Sequence, residues 1–561
     1  MKVIIVGGVA GGASCAARLR RLDESAQIIV FEKSGFVSYA NCGLPYYVGG
    51  TIAEKSALTL QTPASFRARF NVDVRVRHEV VAIDRARKVV TVRDLENGRE
   101  FAESYDKLVL SPGARPVVPP LPGIDGKNIF TLRTVEDALR IREFVDATHP
   151  ASATVVGGGF IGLEMAENLA ERGAKVTIVE KMEQLLSPLD ADMAAFVHAK
   201  FRAEGLSLRL GCAVTGFEDR DGQVVTNVDV GPAIAANMVI LAIGVSPDSG
   251  LAKAAGLELG ARGSILVDRH MRTSDADIYA VGDAVQVENG VTGQAALIAL
   301  AGPANKQGRV AADNIAGLDS VYRASWGSSV VKLFDMTAAA TGLNERAAKA
   351  AGLACDKVVL SPASHASYYP GGKAMTMKVL YEKGTLRLLG AQIVGFDGVD
   401  KRIDVLATAM QAGMNAVSLK DLDLAYAPPY SSARDPVNMA GFMIENLETG
   451  KVKQFHYEDI DQLPENITRL DVRTPAEYAG GCADGFVNIP VDELRGRLNE
   501  IDPGKPVYVM CQSALRSYIA CRILAQHGYD CYNFSGGYRF YEANRKDRFR
   551  EDVNTPCGMG V

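Results

Sequence analysis

The sequence predicts an α/β fold in which two βαβ units of the doubly wound kind are followed by an α+β domain and a smaller α/β domain. Three observations predict it. Two glycine-rich turns each stand between a short apolar strand and a helix, an acidic residue closes the strand after each helix, and the text changes character near residue 450. At 561 residues the chain is too long for one hydrophobic core, which stops growing at roughly 250–300 residues. A hydrophobic content of 47% and a charged content of 23% are ordinary for a globular protein. The net charge of −5 argues against a general nucleic-acid binder, which needs a basic surface. The N-terminus runs directly into a strand at 3–6, so no signal peptide is expected, and no stretch approaches a membrane span. Nine cysteines, scattered and odd in number, do not make a disulfide framework. The expectation is a cytoplasmic protein with mostly reduced cysteines, a few of them catalytic.

The first turn is Gly7-Gly8-Val9-Ala10-Gly11-Gly12, between the strand at 3–6 and an Ala-rich helix at 13–21. A second strand at 27–31 ends in Glu32, about 20 residues on. Glycines let a backbone approach a pyrophosphate at a helix N-terminus, and the acid takes a ribose hydroxyl. Val9 stands where the second glycine of the motif is expected. The second turn is a full GxGxxG, Gly157-Gly158-Gly159-Phe160-Ile161-Gly162, followed by a helix at 163–172 and a strand at 175–179 that ends in Glu180. Two such copies at the right internal spacing predict two Rossmann-like dinucleotide sites. A carboxylate at Glu180 accepts from a ribose 2′-hydroxyl and repels a 2′-phosphate, which favours NADH over NADPH; Lys181 beside it works the other way.

Asp277-Ile278-Tyr279-Ala280-Val281-Gly282-Asp283-Ala284 resembles the motif with which two-dinucleotide flavoproteins hold the ribityl chain of FAD. Leu110-Ser111-Pro112-Gly113-Ala114 resembles the segment at which such proteins pass from the FAD domain to the NAD domain. By this resemblance residues 1–115 and 250–320 form the FAD-binding domain, 116–249 the NAD-binding domain, and 325–445 a dimerisation domain. It also implies that Lys33, Asn41, Val80, Arg133, Gly244 and Ala301 join Ser111, Gly113 and Asp283 around the cofactors.

The segment Asn41-Cys42-Gly43-Leu44-Pro45-Tyr46 carries the chemistry. In the pyridine nucleotide-disulfide oxidoreductase superfamily it leads into a helix beside the flavin, where a thiolate gains from the helix N-terminus and attacks a disulfide or persulfide sulfur. Relatives with an internal redox disulfide carry two cysteines there; Cys42 has no such partner. NADH peroxidases and oxidases carry a histidine in the first glycine turn, where this chain has Ala10. The two-cysteine reductases use a C-terminal His–Glu pair, absent from Ala425-Tyr426-Ala427-Pro428-Pro429-Tyr430-Ser431-Ser432-Ala433-Arg434-Asp435-Pro436.

What remains resembles the coenzyme A-disulfide reductases, over residues 1 to about 445. That resemblance implies a coenzyme A-linked persulfide or disulfide substrate and a homodimer in which two tyrosines, lent by the partner subunit, replace the histidine as proton donors. Tyr426 fits one position; Tyr368 fits the other, with Tyr369 adjacent. Arg18 and Arg21 share a helix face suited to phosphates. Ser14, Ser38 and Asn41 match polar positions near the pantetheine arm, and Arg69 and Arg434 match basic positions near the ligand. Asn305 falls where relatives often have histidine.

After a linker at 446–456, residues 457–561 resemble a rhodanese domain. The signatures are Leu470-Asp471-Val472-Arg473-Thr474-Pro475, Gly485-Phe486-Val487-Asn488-Ile489-Pro490, and Cys511-Gln512-Ser513-Ala514-Leu515-Arg516 between a strand at 506–510 and a helix. Such a loop is an anion cradle whose backbone N–H groups and closing arginine stabilise a thiolate or persulfide. Four residues separate Cys511 from Arg516, the size associated with sulfur transfer rather than phosphate chemistry. Cys482 stands where rhodaneses usually carry histidine, and Cys531 lies outside the loop; neither receives a role.

The expected enzyme transfers reducing equivalents from NADH through FAD to a coenzyme A persulfide, polysulfide or disulfide held at Cys42, with Cys511 handling sulfane sulfur. No metal is expected. The rivals are an NADH oxidase or peroxidase and a thiol redox sensor.

Overall fold

A computed structural model describes residues 1–549, which form two compact units. The first comprises Met1–Met182 and Arg209–Gly327; the second comprises Glu183–Leu208 and the chain from Ser328 onward. The last twelve residues of the span read as rhodanese lie outside the described ones.

The first unit holds two parallel sheets. In one, Ile278–Ala280, Lys107–Leu110, Lys2–Val6, Gln27–Glu32 and Asp73–Val76 lie side by side in that order, all parallel. Val3, Ile4 and Ile5 are buried on both faces, the reason a parallel strand reads as an unbroken apolar run. The second sheet sets Ile129–Thr131, Met238–Leu241, Ser152–Val156 and Lys175–Glu180 in parallel order. Each sheet is accompanied by a three-stranded antiparallel meander, His78–Asp84 to Glu100–Ser104 and Val214–Arg220 to Ile234–Ala236. The strands Ala114–Pro116 and Val245–Pro247 pair antiparallel where the chain leaves and re-enters the first sheet's domain.

Helix Ala10–Leu22 packs closely on helix Ala301–Ile315: a Cβ at Gly308 would stand 2.3 Å from the carbonyl oxygen of Gly11. At the far end of the first helix Arg20 is buried and donates to the carbonyls of Phe70, Asp23, Glu24, Ala26 and Asn71, tying the helix to the neighbouring turn.

The second unit contains an antiparallel sheet, Ser329–Leu333, Met336–Gly342, Leu388–Gly395, Met375–Glu382 and Cys355–Leu360. It also contains a parallel sheet, Lys453–Phe455, Cys531–Phe534, Val507–Met510, Thr468–Asp471 and Val487–Asn488. Glu183–Leu208, which lies inside the span read as the NAD-binding domain, groups with these sheets. Ion pairs and aromatic packing both hold it there. The ammonium of Lys378, fully buried, meets Asp190 at 3.1 Å, Asp192 at 2.7 Å and Glu345, which also pairs with Lys357, and the rings of Phe196 and Phe201 pack on those of Phe540 and Phe334. His198 is fixed likewise: its Nε2 accepts from the N–H of Leu185 at 3.0 Å, so Nδ1 carries the proton and donates to Asp547 at 2.8 Å. Ser535, after the strand Cys531–Phe534, accepts at Oγ from the N–H of Val359 at 3.0 Å and so joins the two sheets of this unit. Among the described residues no helix is long and apolar enough to cross a membrane.

Candidate functional site

The two glycine turns have the same internal construction. Gly7 and Gly157 adopt φ of +95° and +111°, the left-handed region that favours glycine. A Cβ at Gly12 would stand 1.9 Å from the carbonyl oxygen of Gly7, and one at Gly162 would stand 2.0 Å from that of Gly157. Each closing acid pins its turn. Glu32 accepts from the N–H of Gly8 and of Ser34, both at 2.8 Å, and Glu180 accepts from Gly158 at 2.6 Å and Met182 at 2.8 Å. Nothing lies within 4 Å of the Cβ positions of Gly159 and Gly244, so the face of the second turn is open to a ligand's phosphates. Phe160 and Ile161 open the helix Phe160–Glu171 behind it. These features fit a dinucleotide at each turn.

Around the first turn, Val9 caps the helix that begins at Ala10, and Gly11 is buried against Val281 and Ser111. Gly113, at φ +71°, abuts the guanidinium of Arg133, which pairs with Asp283 at 2.7 Å. Lys33 is exposed and paired with Asp248 at 3.0 Å. Val80 is buried in the core of this domain, and Ala301 is the exposed first residue of its helix.

Cys42 lies in the turn Asn41–Gly43, which leads into helix Leu44–Gly49 with Pro45 in its first turn. It is exposed, whereas the other described cysteines of the first unit, Cys15 and Cys212, are buried. Burial pushes the Cys15 thiol up to about 12 and leaves it inert. A helix N-terminus was expected to favour the Cys42 thiolate. Instead the thiol is pushed up, first by desolvation, then by the carboxylates of Glu164 and Asp283, with Arg133 opposing them. Tyr46 donates to Glu164 at 3.3 Å, and neither residue was singled out from the sequence. The available signal was an acid two residues beyond a GxGxxG and a tyrosine one turn past the cysteine.

Ser14 and Asn305, 291 positions apart, are hydrogen-bonded to each other beside this turn. Ser38 holds φ of +48° while its N–H donates to Gly8 at 2.8 Å. Of the arginines, Arg18 is taken by an ion pair to Asp313 at 2.7 Å, while Arg21 and Arg69 are exposed. Arg434, in the second unit, is exposed too.

In the second unit the hydroxyls of Tyr368 and Tyr426 lie 2.6 Å apart, with the residues 73% and 45% exposed. Tyr369 turns away and packs edge-on against the buried His365, ring centroids 5.6 Å apart. The hydrogen bond shared with Tyr368 raises the Tyr426 phenol.

The loop after Val507–Met510 buries Cys511, whose sulfur accepts from the Ser517 hydroxyl at 3.2 Å. Ala514 takes φ of +70° to turn the loop into helix Leu515–Gln526. Arg516, expected to lend its charge to this loop, interacts with the Cys511 sulfur through its charge while both of its terminal nitrogens bind Glu477 at 2.7 Å, and that pair holds the Glu477 carboxyl down to about 2. A second guanidinium at the loop is that of Arg473. It is buried, anchored by Asp471, stacked 3.8 Å over the Tyr538 ring, and donates to Gln512 at 3.3 Å and to the Gly481 carbonyl at 2.7 Å. Cys482, next to Gly481, is exposed. Cys531 is buried at the start of its strand, donating to the Cys521 carbonyl at 3.2 Å.

Comparison with known proteins bears on all three regions. A family model for pyridine nucleotide-disulphide oxidoreductases matches residues 1–308, one for the dimerisation domain of that family matches 328–437, and one for rhodanese-like domains matches 457–544. A coenzyme A disulfide reductase of Staphylococcus aureus is 35% identical over 442 residues, which is 79% of this chain and 99% of the relative. The crystal structure of reduced Bacillus anthracis CoADR-RHD superposes with a TM-score of 0.95 at 46% identity, covering 98% of both chains. That of an NAD-dependent persulfide reductase from A. fulgidus superposes with a TM-score of 0.91 at 40% identity, covering 96% of this chain and all of the other.

Proposed function

The chain belongs to the pyridine nucleotide-disulphide oxidoreductase family, and from that premise we propose that it uses NADH and FAD to reduce coenzyme A persulfide, polysulfide and coenzyme A disulfide at Cys42, with sulfane sulfur handled at Cys511. One observation carries this reading: Cys42 is the exposed thiol of the first unit among the described residues, and it stands between two pinned glycine turns. FAD at the first turn, when bound, supplies two-electron chemistry, and NADH at the second supplies hydride.

The protein's own part follows from its residues. The Cys42 thiolate attacks the inner sulfur of coenzyme A persulfide; a Cys42–S–S–coenzyme A bond forms, and the outer sulfur leaves as hydrosulfide. Tyr368 and Tyr426, presented by the partner subunit of a cytoplasmic homodimer, hydrogen-bond the coenzyme A thiolate released when that disulfide is reduced. Ser14, Ser38, Asn41 and Asn305 line the pantetheine arm, and Arg21, Arg69 and Arg434, exposed and outside ion pairs, receive its phosphates ahead of Arg18. Cys511, within reach of the Ser517 hydroxyl, loads sulfur from donors onto coenzyme A.

The test is Cys42→Ser. It should bind FAD, accept hydride from NADH, and fail to release sulfide from coenzyme A persulfide. Sulfide release at a wild-type rate would refute the assignment.

A further inference from the structure

Reduction of one persulfide consumes one proton, since RSSH + NADH + H⁺ gives RSH + H₂S + NAD⁺. The Cys42 segment offers neither a histidine nor a second cysteine to hold it. Cys42 and Tyr46 are four residues apart across the turn Asn41–Gly43 and helix Leu44–Gly49, a spacing that sets two side chains on one side of a helical turn. The Tyr46 hydroxyl donates to Oε1 of Glu164 at 3.3 Å. Glu164 rises from helix Phe160–Glu171, whose N-terminus is the second glycine turn. The next acid on that helix, Glu167, is almost wholly buried.

The charges of this group are mutually dependent. After burial, Glu164 is the first influence raising the Cys42 thiol, ahead of Asp283 and against Arg133. Glu164 itself is pushed up to about 7, chiefly by burial, with Glu167 adding and the Tyr46 hydrogen bond opposing. A carboxylate that raises the thiol disfavours the thiolate, so Cys42 ionises more readily when Glu164 holds a proton.

We propose that Glu164 is the proton store of Cys42, exchanging its proton with the thiolate through the Tyr46 hydroxyl. The step moves one proton and no electrons. Glu164–COOH and Cys42–S⁻ become Glu164–COO⁻ and Cys42–SH as Tyr46 accepts from the carboxyl and donates to the sulfur. With the proton on Glu164 the sulfur is a nucleophile; after reduction the proton passes to the Cys42 sulfur and from it to the departing coenzyme A thiolate, which leaves as the thiol, and solvent refills the carboxylate so that Cys42 is again a thiolate beside a protonated Glu164. The pair thereby serves the Cys42 sulfur, while Tyr368 and Tyr426 hold the departing coenzyme A thiolate by hydrogen bonds. The inference rests on Cys42 being the reacting thiol.

The experiment follows alkylation of Cys42 by iodoacetamide against pH in the FAD-loaded enzyme without NADH, together with the pH profile of kcat. Wild type, Glu164→Gln and Tyr46→Phe are compared. In Glu164→Gln the alkylation midpoint should fall by about one pH unit, because a neutral amide no longer opposes the thiolate. Its kcat profile should lose the limb near neutrality. Tyr46→Phe keeps the charge of Glu164, so its midpoint should stay close to that of wild type while kcat falls by about tenfold or more. An unchanged midpoint in Glu164→Gln, with kcat of both variants near wild type, overturns the proposal. Should Glu164→Gln lose FAD, an unaltered kcat in Tyr46→Phe overturns it alone. If alkylated wild-type enzyme still turns over persulfide, it is the assignment of Cys42 that fails, an outcome distinct from an unmoved midpoint.

Discussion

Glu180 should set a preference for NADH over NADPH whose size follows from its hydrogen bonds. Its carboxylate is pinned to the turn by the N–H groups of Gly158 at 2.6 Å and Met182 at 2.8 Å, so it has little freedom to swing away from an incoming ribose. A 2′-hydroxyl set against the remaining lone pairs adds a hydrogen bond of about 1 kcal/mol. A 2′-phosphate in the same place, roughly 4 Å from the carboxylate, meets about 4 kcal/mol of repulsion per unit charge at an effective dielectric near 20. Partial exposure of Glu180 and the neighbouring Lys181 cut that to about 2 kcal/mol. The combined preference for NADH is about 3 kcal/mol, or on the order of 100-fold in kcat/KM.

Steady-state kcat/KM with each nucleotide checks this in wild type and two variants. Glu180→Gln keeps an oxygen for the two N–H groups and removes the charge, so the ratio should fall below about tenfold. Glu180→Ala also frees the turn and should raise KM for both nucleotides. A wild-type enzyme that prefers NADPH, or a ratio unmoved in Glu180→Gln, would show that the charge of Glu180 does not select the cofactor.

Three more predictions can be checked independently. Tyr426→Phe, at an exposed position, should leave the melting temperature unchanged yet slow reduction of a coenzyme A substrate by about 100-fold, with flavin reduction by NADH intact in stopped-flow traces. Cys511→Ser should suppress sulfide release from polysulfide but spare preformed coenzyme A persulfide, and equal losses on both would remove its loading role. Burial alone would raise Glu345, but Lys378 and Lys357 hold its carboxyl down from the usual 4.5 to about 2. Its contribution to stability is therefore full above about pH 4.5 and lost as pH falls towards 2, about 3 kcal/mol for a shift of this size, while the raised carboxyl of Asp190 works in the opposite sense. Thermal melts across that range should show the loss, and Glu345→Gln should flatten it.

Local spacing made much of this protein legible. The two glycine turns, their closing acids and the Cys511 loop are each contained in about 25 residues, the reach over which strand and helix periods constrain a sequence. Pairings between distant segments were not legible. Tyr368 and Tyr369 are indistinguishable neighbours until the fold sets one against Tyr426 and the other against His365. Arg18 reads as a free cation until helix Ala301–Ile315 brings Asp313 to it, and nothing in the loop around Arg516 announces that Glu477, 39 positions away, shares its charge. The grouping of Glu183–Leu208 with the second unit depends on Lys378, almost two hundred positions away. Glu164 went unremarked because an acid on an amphipathic helix is ordinarily a solvated one.

The first sheet is closed on one side by Ile278–Ala280, and its first helix is backed by Ala301–Ile315. During synthesis the strand Lys107–Leu110 leaves the ribosome while both of those elements are still unmade, roughly 200 residues behind it. At about 5–20 residues per second that is an interval of roughly 10–40 s. Throughout it the nascent domain presents an unpaired strand edge and the bare backbone of Gly11, the liabilities that chaperones recognise. The inserted Rossmann-like unit, whose Ser152–Val156 and Lys175–Glu180 strands are made within that interval, can close its own sheet before its host does. Order of birth and order of completion thus differ: every strand of the second sheet is made before the last strand of the first.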